Sequence, residues 1–550
     1  MNELARVSPT TLAGTEFDLA IVGAGINGAA IARDAATRGL SVLVVDKADA
    51  GSGTSSWSSR LIHGGLRYLE HGELRLVHES LHDRERLLHI APHLVTPLPF
   101  VVPVYRHNHK PGWMFRAGMV LYDALSLRKS VPRHRALGRK AVAVELGSLN
   151  PDGLSAGLRY YDGQVVFAER LVLETLMSAA AAGAAVLTYA TASITVDGGR
   201  AVGLTVHDEL TGTDHPVRAR VVVNAAGPWV DQADAGLGLD RMIGGTKGTH
   251  IVVDPFPGAP DVAIYYEARS DNRAVLVIPW NGRYLIGTTD DRFDGDLDAI
   301  AGNEAEIDYL LAETNNLIPE AGLTTASVLF SYAGVRPLPY RPGVKSGNIP
   351  RSHLILTHDT IANLISVVGG KLTPHLSLGT ETVDKAAGML GRTLPASRTA
   401  HTPLPGGVED WPATARRLRG RLPFPQPVVD RLLAVYGARC ADLLALIGQD
   451  AGQARLIGTG EGAVLVAEVT MAVQVEGAVR LADILHRRTM VGLYPALGLD
   501  IDRAVAQVAA PLLGWSSSEV DAQVRAHRDY VRTRLLGGVA RRLPQDATAG

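Results

Sequence analysis

Residues 17–46 read FDLAIVGAGINGAAIARDAATRGLSVLVVD. Phe17 to Val22 is an apolar run of buried-strand length that leads directly into Gly23-Ala24-Gly25-Ile26-Asn27-Gly28, a G-x-G-x-x-G spacing. The pattern predicts a helix over 27–38, closed by Gly39, then a second strand over 41–45 that ends in Asp46. In such a βαβ unit Gly23 permits the tight turn, Gly25 lets backbone approach a pyrophosphate, and Gly28 packs helix on strand. Asp46 can accept from ribose hydroxyls, and Ile26 and Asn27 occupy the turn itself. The stretch predicts a dinucleotide site.

Two later segments return to it. Val221 to Trp229 (VVVNAAGPW) is a buried-strand run followed by a small-residue turn at Gly227, as expected of a strand that comes back to the same nucleotide. Ile365 to Pro374 (ISVVGGKLTP) reads as strand, Gly369-Gly370, then a helix start through Lys371, Leu372 and Thr373 with Pro374 in its first turn. A helix N-terminus there is positive and can face an electron-rich ring. It is not a P-loop, because position 365 is Ile and Leu372 follows the lysine. The return segments favour a flavin over a nicotinamide nucleotide.

At 550 residues the chain predicts two or three domains, and 46% hydrophobic with 20% charged residues is a globular composition. With 54 Lys plus Arg against 56 Asp plus Glu, no global field recruits nucleic acid, so any anion site is local. The one cysteine, Cys440, excludes a disulfide framework and a Cys-held metal cluster and suits a reducing cytoplasm. Residues 1–15 lack a secretory pattern and are expected to be a flexible leader, as 541–550 are a flexible tail. The charge-free run 175–196 reads as a helix ending at Gly183 and a strand over 185–188, so attachment to a membrane would be peripheral. His78-Glu79-Ser80-Leu81-His82 matches H-E-x-x-H, yet Leu74, Val77, Leu81 and Leu88 supply a packing face that leaves these histidines at the surface, and no metal is expected. A Pro-containing connector over 402–407 precedes segments of helical period, 428–446 and 461–488, which predict a helical domain over 396–540 without an obvious active site. Arg416, Arg417, Arg419 and Arg421, and Trp113-Met114-Phe115 beside Lys110 and Arg116, read either as ordinary solvated or core faces or as membrane-surface elements. Oligomeric state is not legible, and a homo-oligomer stays open.

The motifs in chain order, GAGINGAAIARDAATRGLSVLVVD, TSSWSSRLIHGGLRYLEHGELRLV, NAAGPW, KGTHIVV, IPW with GTTD, GVRPL and GGKLT, resemble FAD-dependent glycerol-3-phosphate dehydrogenases, closely over about residues 16–390. The segment 480–489 (RLADILHRRT) is similar to the family's helical cap. The resemblance implies an α/β fold in which a Rossmann-like FAD-binding domain is interleaved with an antiparallel substrate-binding sheet over 16–395, as in D-amino-acid oxidases, followed by an all-helical C-terminal domain. It implies noncovalent FAD and oxidation of sn-glycerol 3-phosphate to dihydroxyacetone phosphate, with electrons passed to membrane quinone.

That chemistry needs a hydride acceptor, a proton acceptor and a phosphate clamp. By resemblance Arg67, Arg336 and Arg351 bind substrate through planar forks, Tyr68 adds a hydroxyl, and Lys371 holds substrate oxygens or developing charge. His63 is the candidate base. Thr54, Ser55, Ser58, Ser59 and Leu61, with His63, belong to the flavin-binding stretch. Each has a plainer reading: Arg67 and Tyr68 can begin an amphipathic helix, Arg336 and Arg351 can be loop arginines, and His63 can serve structure alone. Arg60 stands where the family often has Lys, and Pro374 replaces a hydroxyl residue, so hydrogen bonding there falls to Thr373 or the helix backbone. The alternatives are a glycerol-3-phosphate oxidase that forms hydrogen peroxide, a flavin-dependent amino-acid oxidase of the same fold, and a noncatalytic FAD-binding protein.

Overall fold

β1 (Glu16–Val22) is buried along almost its whole length, as a strand covered on both sheet faces requires. The structure, a computed structural model, describes residues 4–12, 14–65, 72–109, 111–126, 129–344 and 349–540. Arg67, Tyr68, Lys110 and the tail 541–550 lie outside the described residues. β1 pairs in parallel with β2 (Val42–Val45) and with Thr213–Asn224, which pairs in parallel with Leu364–Val368. Ala185–Leu187 extends the sheet beyond β2, and Leu354–Thr357 runs antiparallel at the far edge. α1 (Ile26–Thr37) connects β1 to β2 and packs between the helices Ala168–Ala181 and His375–Leu390. Val22 is level with Val45 and with Asn224, so the carboxyl ends of three strands open at one edge. Open parallel sheets take ligands at that edge.

A second sheet of ten strands, mostly antiparallel, stands over it. Val328–Arg336 pairs along Thr246–Val253 and ends with Arg336 opposite Thr246. Val95–Tyr105 pairs with Leu154–Val165, and the two-residue strand Leu61–Ile62 pairs with Gln164 and Gly163, which brings His63 to the sheet's edge. Between these strands lie α2 (Leu74–Ile90) and α3 (Gly112–Leu125). The expected α/β flavoprotein fold with a helical C-terminal domain is present.

Some boundaries and packing faces differ. The run 175–196 resolves as expected into the end of helix Ala168–Ala181, Gly183 in the left-handed region and strand Ala185–Leu187. Residues 4–12 are docked, contrary to the expected leader: the Leu4 N–H donates to the Val475 carbonyl at 2.7 Å, and Leu4 and Leu12 are buried. An apolar side chain with an available groove recovers more from burial than a short terminus gains from staying free. On α2 the buried face is Leu76, Val77, Leu81 and Leu87, while Leu74 is exposed, because the helix begins at Leu74 and its first turn overhangs the core. His78 is exposed, with its ring 4.0 Å from that of His82. Arg60, at a positive φ of 56°, is fully buried with both terminal nitrogens 2.8 Å from the Glu169 carboxylate, so its charge is neutralised locally.

The C-terminal helices include Gln426–Tyr436, Val466–Gln474, Asp502–Leu513 and Ser517–Tyr530. They are joined to the nucleotide sheet by buried ion pairs. Asp49, just beyond β2, accepts from Arg487 and Arg488, each at 2.5 Å, and Glu476 accepts from Arg170 at 2.7 Å and from Arg439 at 2.5 Å. Burial pushes the Glu476 carboxyl up, but Arg170 and Arg439 outweigh it and hold the group at about 2. Because that value is depressed, the stability it contributes is complete above its ordinary 4.5 and is lost as pH falls from 4.5 towards 2. Asp49→Ala leaves two buried guanidiniums undercompensated and is expected to cost about 3–5 kcal/mol in denaturant unfolding. A variant with the wild-type midpoint would show that the Asp49 pairs do not tie the C-terminal helices down.

Candidate active site

A cavity of about 770 Å³ runs along the carboxyl edge of the parallel sheet, a size suited to a small-molecule cofactor. At one end it is walled by the Gly23–Asn27 turn, Asp46, Tyr189 and Gln232, and at the other by His63, Arg336, Arg351 and the 369–373 turn. Of the described residues that the sequence nominated for cofactor or substrate, Gly28 alone does not line it. Gly28 sits behind the turn, where a Cβ would come 1.9 Å from the Gly23 carbonyl oxygen. Gly23, at φ +108°, passes so close to Ala225 that a Cβ would lie 2.6 Å from its carbonyl oxygen. The turn is a close backbone cradle at a helix N-terminus, the geometry that takes a pyrophosphate.

The Asp46 carboxylate accepts from the Ala24 N–H at 2.6 Å and the Ala48 N–H at 2.9 Å, which leaves lone pairs for ribose hydroxyls. Burial raises it to about 6 despite these two N–H donors. Ser55 Oγ accepts from the Ile26 N–H at 3.0 Å at the start of α1, Thr54 Oγ1 donates to the Val335 carbonyl at 2.8 Å, and Ser58 Oγ accepts from the Arg60 N–H at 3.2 Å. Asn27 reaches across to the Gly369 carbonyl at 3.3 Å, and a Cβ on Gly370 would sit 2.3 Å from its Nδ2. Among the described residues, buried Asn27 Oδ1 and Trp229 Nε1, both on cavity-lining side chains, have no hydrogen-bond partner. Close backbone, a ribose-competent carboxylate and two orphaned polar atoms fit an FAD.

At the other end the donors are cationic. Arg336 Nη1 lies 3.1 Å from Asp290 Oδ1, and its Nη2 donates to Thr288 Oγ1 at 3.0 Å. Arg351 Nη2 lies 2.9 Å from the other oxygen of Asp290, and its backbone N–H donates to Glu73 at 2.8 Å. One buried carboxylate thus aims two guanidinium forks. Gly248 leaves room for this arrangement, since a Cβ there would fall 2.3 Å from Arg336 Nη2 and displace the guanidinium. Burial drives the Lys371 ammonium well below its ordinary pKa, with Glu73 opposing and Arg351 reinforcing.

The His63 N–H donates to Thr373 Oγ1 at 3.0 Å, the bond that Pro374 cannot make. Burial lowers His63, Asp162 raises it, and Lys371 and Arg84 lower it further, so the imidazole is neutral at neutral pH. Ser59 Oγ lies 2.8 Å from His250 Nε2. Burial, then Arg336 and Arg60, push His250 down to about 3, which fixes it as a neutral hydrogen-bonding group.

The sequence did not nominate His250, Thr288 or Asp290, although KGTH and GTTD contain them; their place in those two motifs was the available signal. The C-terminal domain, in which the sequence shows no obvious active site, contributes to the cavity wall. Arg480, Arg487, His527, Tyr530 and Arg534 line the cavity at its Asp46 end, because the Asp49 ion pairs draw these helices over it. Arg480 stacks on Tyr189 at 4.3 Å.

The family profile described as FAD dependent oxidoreductase matches residues 18–373, and that described as the C-terminal domain of alpha-glycerophosphate oxidase matches 397–520. A glycerol-3-phosphate dehydrogenase of Synechocystis sp. is 43% identical over 542 residues, 95% of this chain and 97% of its own length. A D-erythritol 1-phosphate dehydrogenase of Brucella abortus is 37% identical over 483 residues, covering 86% of this chain and 94% of its own. The X-ray structure of the glycerol-3-phosphate dehydrogenase from Bacillus halodurans complexed with FAD superposes with a TM-score of 0.77 at 27% identity, over 97% of this chain and 98% of that one. With the cradle, the arginine pair and the helical C-terminal part all in place, the chain belongs to the family of FAD-dependent glycerol-3-phosphate dehydrogenases.

Proposed function

We propose that this chain oxidises the C2 alcohol of sn-glycerol 3-phosphate to dihydroxyacetone phosphate, FAD supplying the hydride acceptor when bound, and that the electrons pass on to a membrane quinone. The observation that carries the reading is the Arg336–Asp290–Arg351 bridge in the same cavity wall as His63 and Lys371. Two planar forks oriented by one carboxylate suit the several oxygens of a phosphate dianion better than a lone carboxylate. The dianion offsets the desolvation that depresses Lys371, so substrate binding favours the ammonium form at the substrate oxygens. His63, neutral before substrate arrives, takes the C2 hydroxyl proton. Ser59, held by His250, and the Asp46 carboxylate would help to hold the cofactor.

The membrane part of the reading rests on α3. Trp113 is 68% exposed and Val120 60%, with Met114 and Leu121 also exposed, an apolar face open to solvent. Arg106, Arg116, Arg133, Arg135, Arg139 and Lys140 are exposed around it in sequence, while Asp123 is paired with Lys129 and Glu145 with Arg159. An apolar helix face in a basic surround matches an anionic lipid headgroup layer.

Anaerobic addition of sn-glycerol 3-phosphate is expected to bleach the flavin and yield dihydroxyacetone phosphate, faster than D-erythritol 1-phosphate does. Flavin that stays oxidised would overturn the substrate, and peroxide formed in place of quinone reduction would make the chain an oxidase. Arg336→Ala is expected to weaken substrate binding by about 1.5–3 kcal/mol, the worth of a charged hydrogen bond, with FAD retained. Titration of the apoprotein should show FAD affinity falling as pH drops below about 6, where Asp46 takes up a proton and loses an acceptor, and Asp46→Asn should flatten that dependence. The protein should float with phosphatidylglycerol vesicles and not with phosphatidylcholine vesicles, and Trp113→Ala with Arg116→Glu should abolish flotation; equal recovery with both lipids would remove α3 from the membrane reading.

A further inference from the structure

Behind the His63-Gly64 turn lies a buried polar cluster that takes no part in the steps above. Tyr122, on α3, is 1% exposed, and its hydroxyl accepts from the Gly64 N–H at 2.9 Å while donating to Asp162 Oδ2 at 2.7 Å. Asp162, on the strand Leu154–Val165, is also 1% exposed. Its other oxygen accepts from Arg84 Nη1 at 2.7 Å, and Arg84, on α2, is fully buried. Three elements therefore converge on one carboxylate beside the turn that carries His63. The two successive backbone N–H groups of that turn are each tied to a side-chain hydroxyl, His63 to Thr373 and Gly64 to Tyr122. The contact at Gly64 is close enough that a Cβ there would lie 2.7 Å from the tyrosine oxygen.

A buried carboxylate is costly to keep, and apolar residues of the same volume would hold these elements together at least as well. What they would not supply is negative charge. Among the described residues Asp162, Lys371 and Arg84 are charged groups that act on His63, so the imidazolium formed when His63 takes a proton meets two cations. Asp162 is the anion that compensates them. Burial and Asp162 both hold the Tyr122 phenol well above its ordinary pKa, so its hydroxyl remains a donor to the carboxylate throughout the working range.

We propose that Asp162, clamped by Tyr122 and Arg84, is a positioning residue that orients the His63-Gly64 turn and balances the charge His63 acquires. The proposal rests on His63 being the base, and the test separates the two. Anaerobic flavin reduction by sn-glycerol 3-phosphate is followed against pH in the FAD-loaded protein, with flavin content and substrate affinity measured in parallel. In wild type the rate rises with pH as His63 loses its proton and then levels. Asp162→Asn is expected to move that limb to lower pH by about one unit, since the remaining cations disfavour the imidazolium, and to lower the plateau about tenfold with FAD content and substrate affinity unchanged. Asp162→Glu should return the limb to its wild-type position. Tyr122→Phe keeps the ring in place and is expected to lower the plateau severalfold. A limb that is lost in His63→Asn but unmoved in Asp162→Asn overturns the proposal and leaves the base standing. A limb that persists in His63→Asn overturns the base and the proposal with it. If Asp162→Asn does not fold, Tyr122→Phe with wild-type rates at every pH overturns the proposal.

Discussion

The architecture depends on one close approach of backbone to backbone. Gly28 lies against the Gly23 carbonyl at a distance no side chain tolerates, and Gly23 in turn lies against Ala225. The first contact seats α1 on the end of β1, and the second places the third strand end beside them. Because the strands are in register at Val22, Val45 and Asn224, the turn, Asp46 and the Ala225–Gly227 segment share one edge. The 369–370 turn joins them through Asn27, which fills the space a Cβ on Gly370 would take. The cavity follows from four chain segments meeting at one edge, with glycine at the points of closest approach.

Charge is handled by pairing at depth. Arg60, Arg170, Arg431 and Arg488 are fully or almost fully buried, each against a carboxylate. Such pairs are seldom more stabilising than apolar packing, but breaking one is costly, so they specify which surfaces meet. The Asp49 and Glu476 clusters select the C-terminal helices as the cavity's outer wall. This explains how a segment with no catalytic motif still contributes Arg480, Arg487 and Arg534 to the site.

Within the site, burial and charge set each group's state. Asp290 shares its two oxygens between Arg336 and Arg351, which holds both forks in place before any substrate arrives. His63 and His250 are both depressed, yet their surroundings differ. His250 faces Arg336 and Arg60, which add to its depression, whereas His63 also faces the Asp162 carboxylate, which opposes it. Two histidines of one cavity are thereby given different chemistry by the sign of a neighbour.

The features legible in the amino-acid sequence are local. The apolar run, the glycine spacing and Asp46 specify a βαβ nucleotide unit because turn and strand chemistry act over a few residues. The short motifs around His63, Arg336 and the 369–373 turn carry the resemblance to the family for the same reason. Long-range placement was decided by tertiary structure alone. The partnership of Arg336 and Arg351 depends on Asp290, which is part of a short motif in sequence but comes beside the arginines only when Asp291–Arg292 and Val328–Arg336 both pair with the strand Thr246–Val253. The docking of residues 4–12, the neutralisation of Arg60 by Glu169, and the convergence of Tyr122, Asp162 and Arg84 all join residues dozens or hundreds of positions apart. Such contacts form because buried charges and polar groups must find partners wherever the fold places them, and no periodicity or spacing records that requirement.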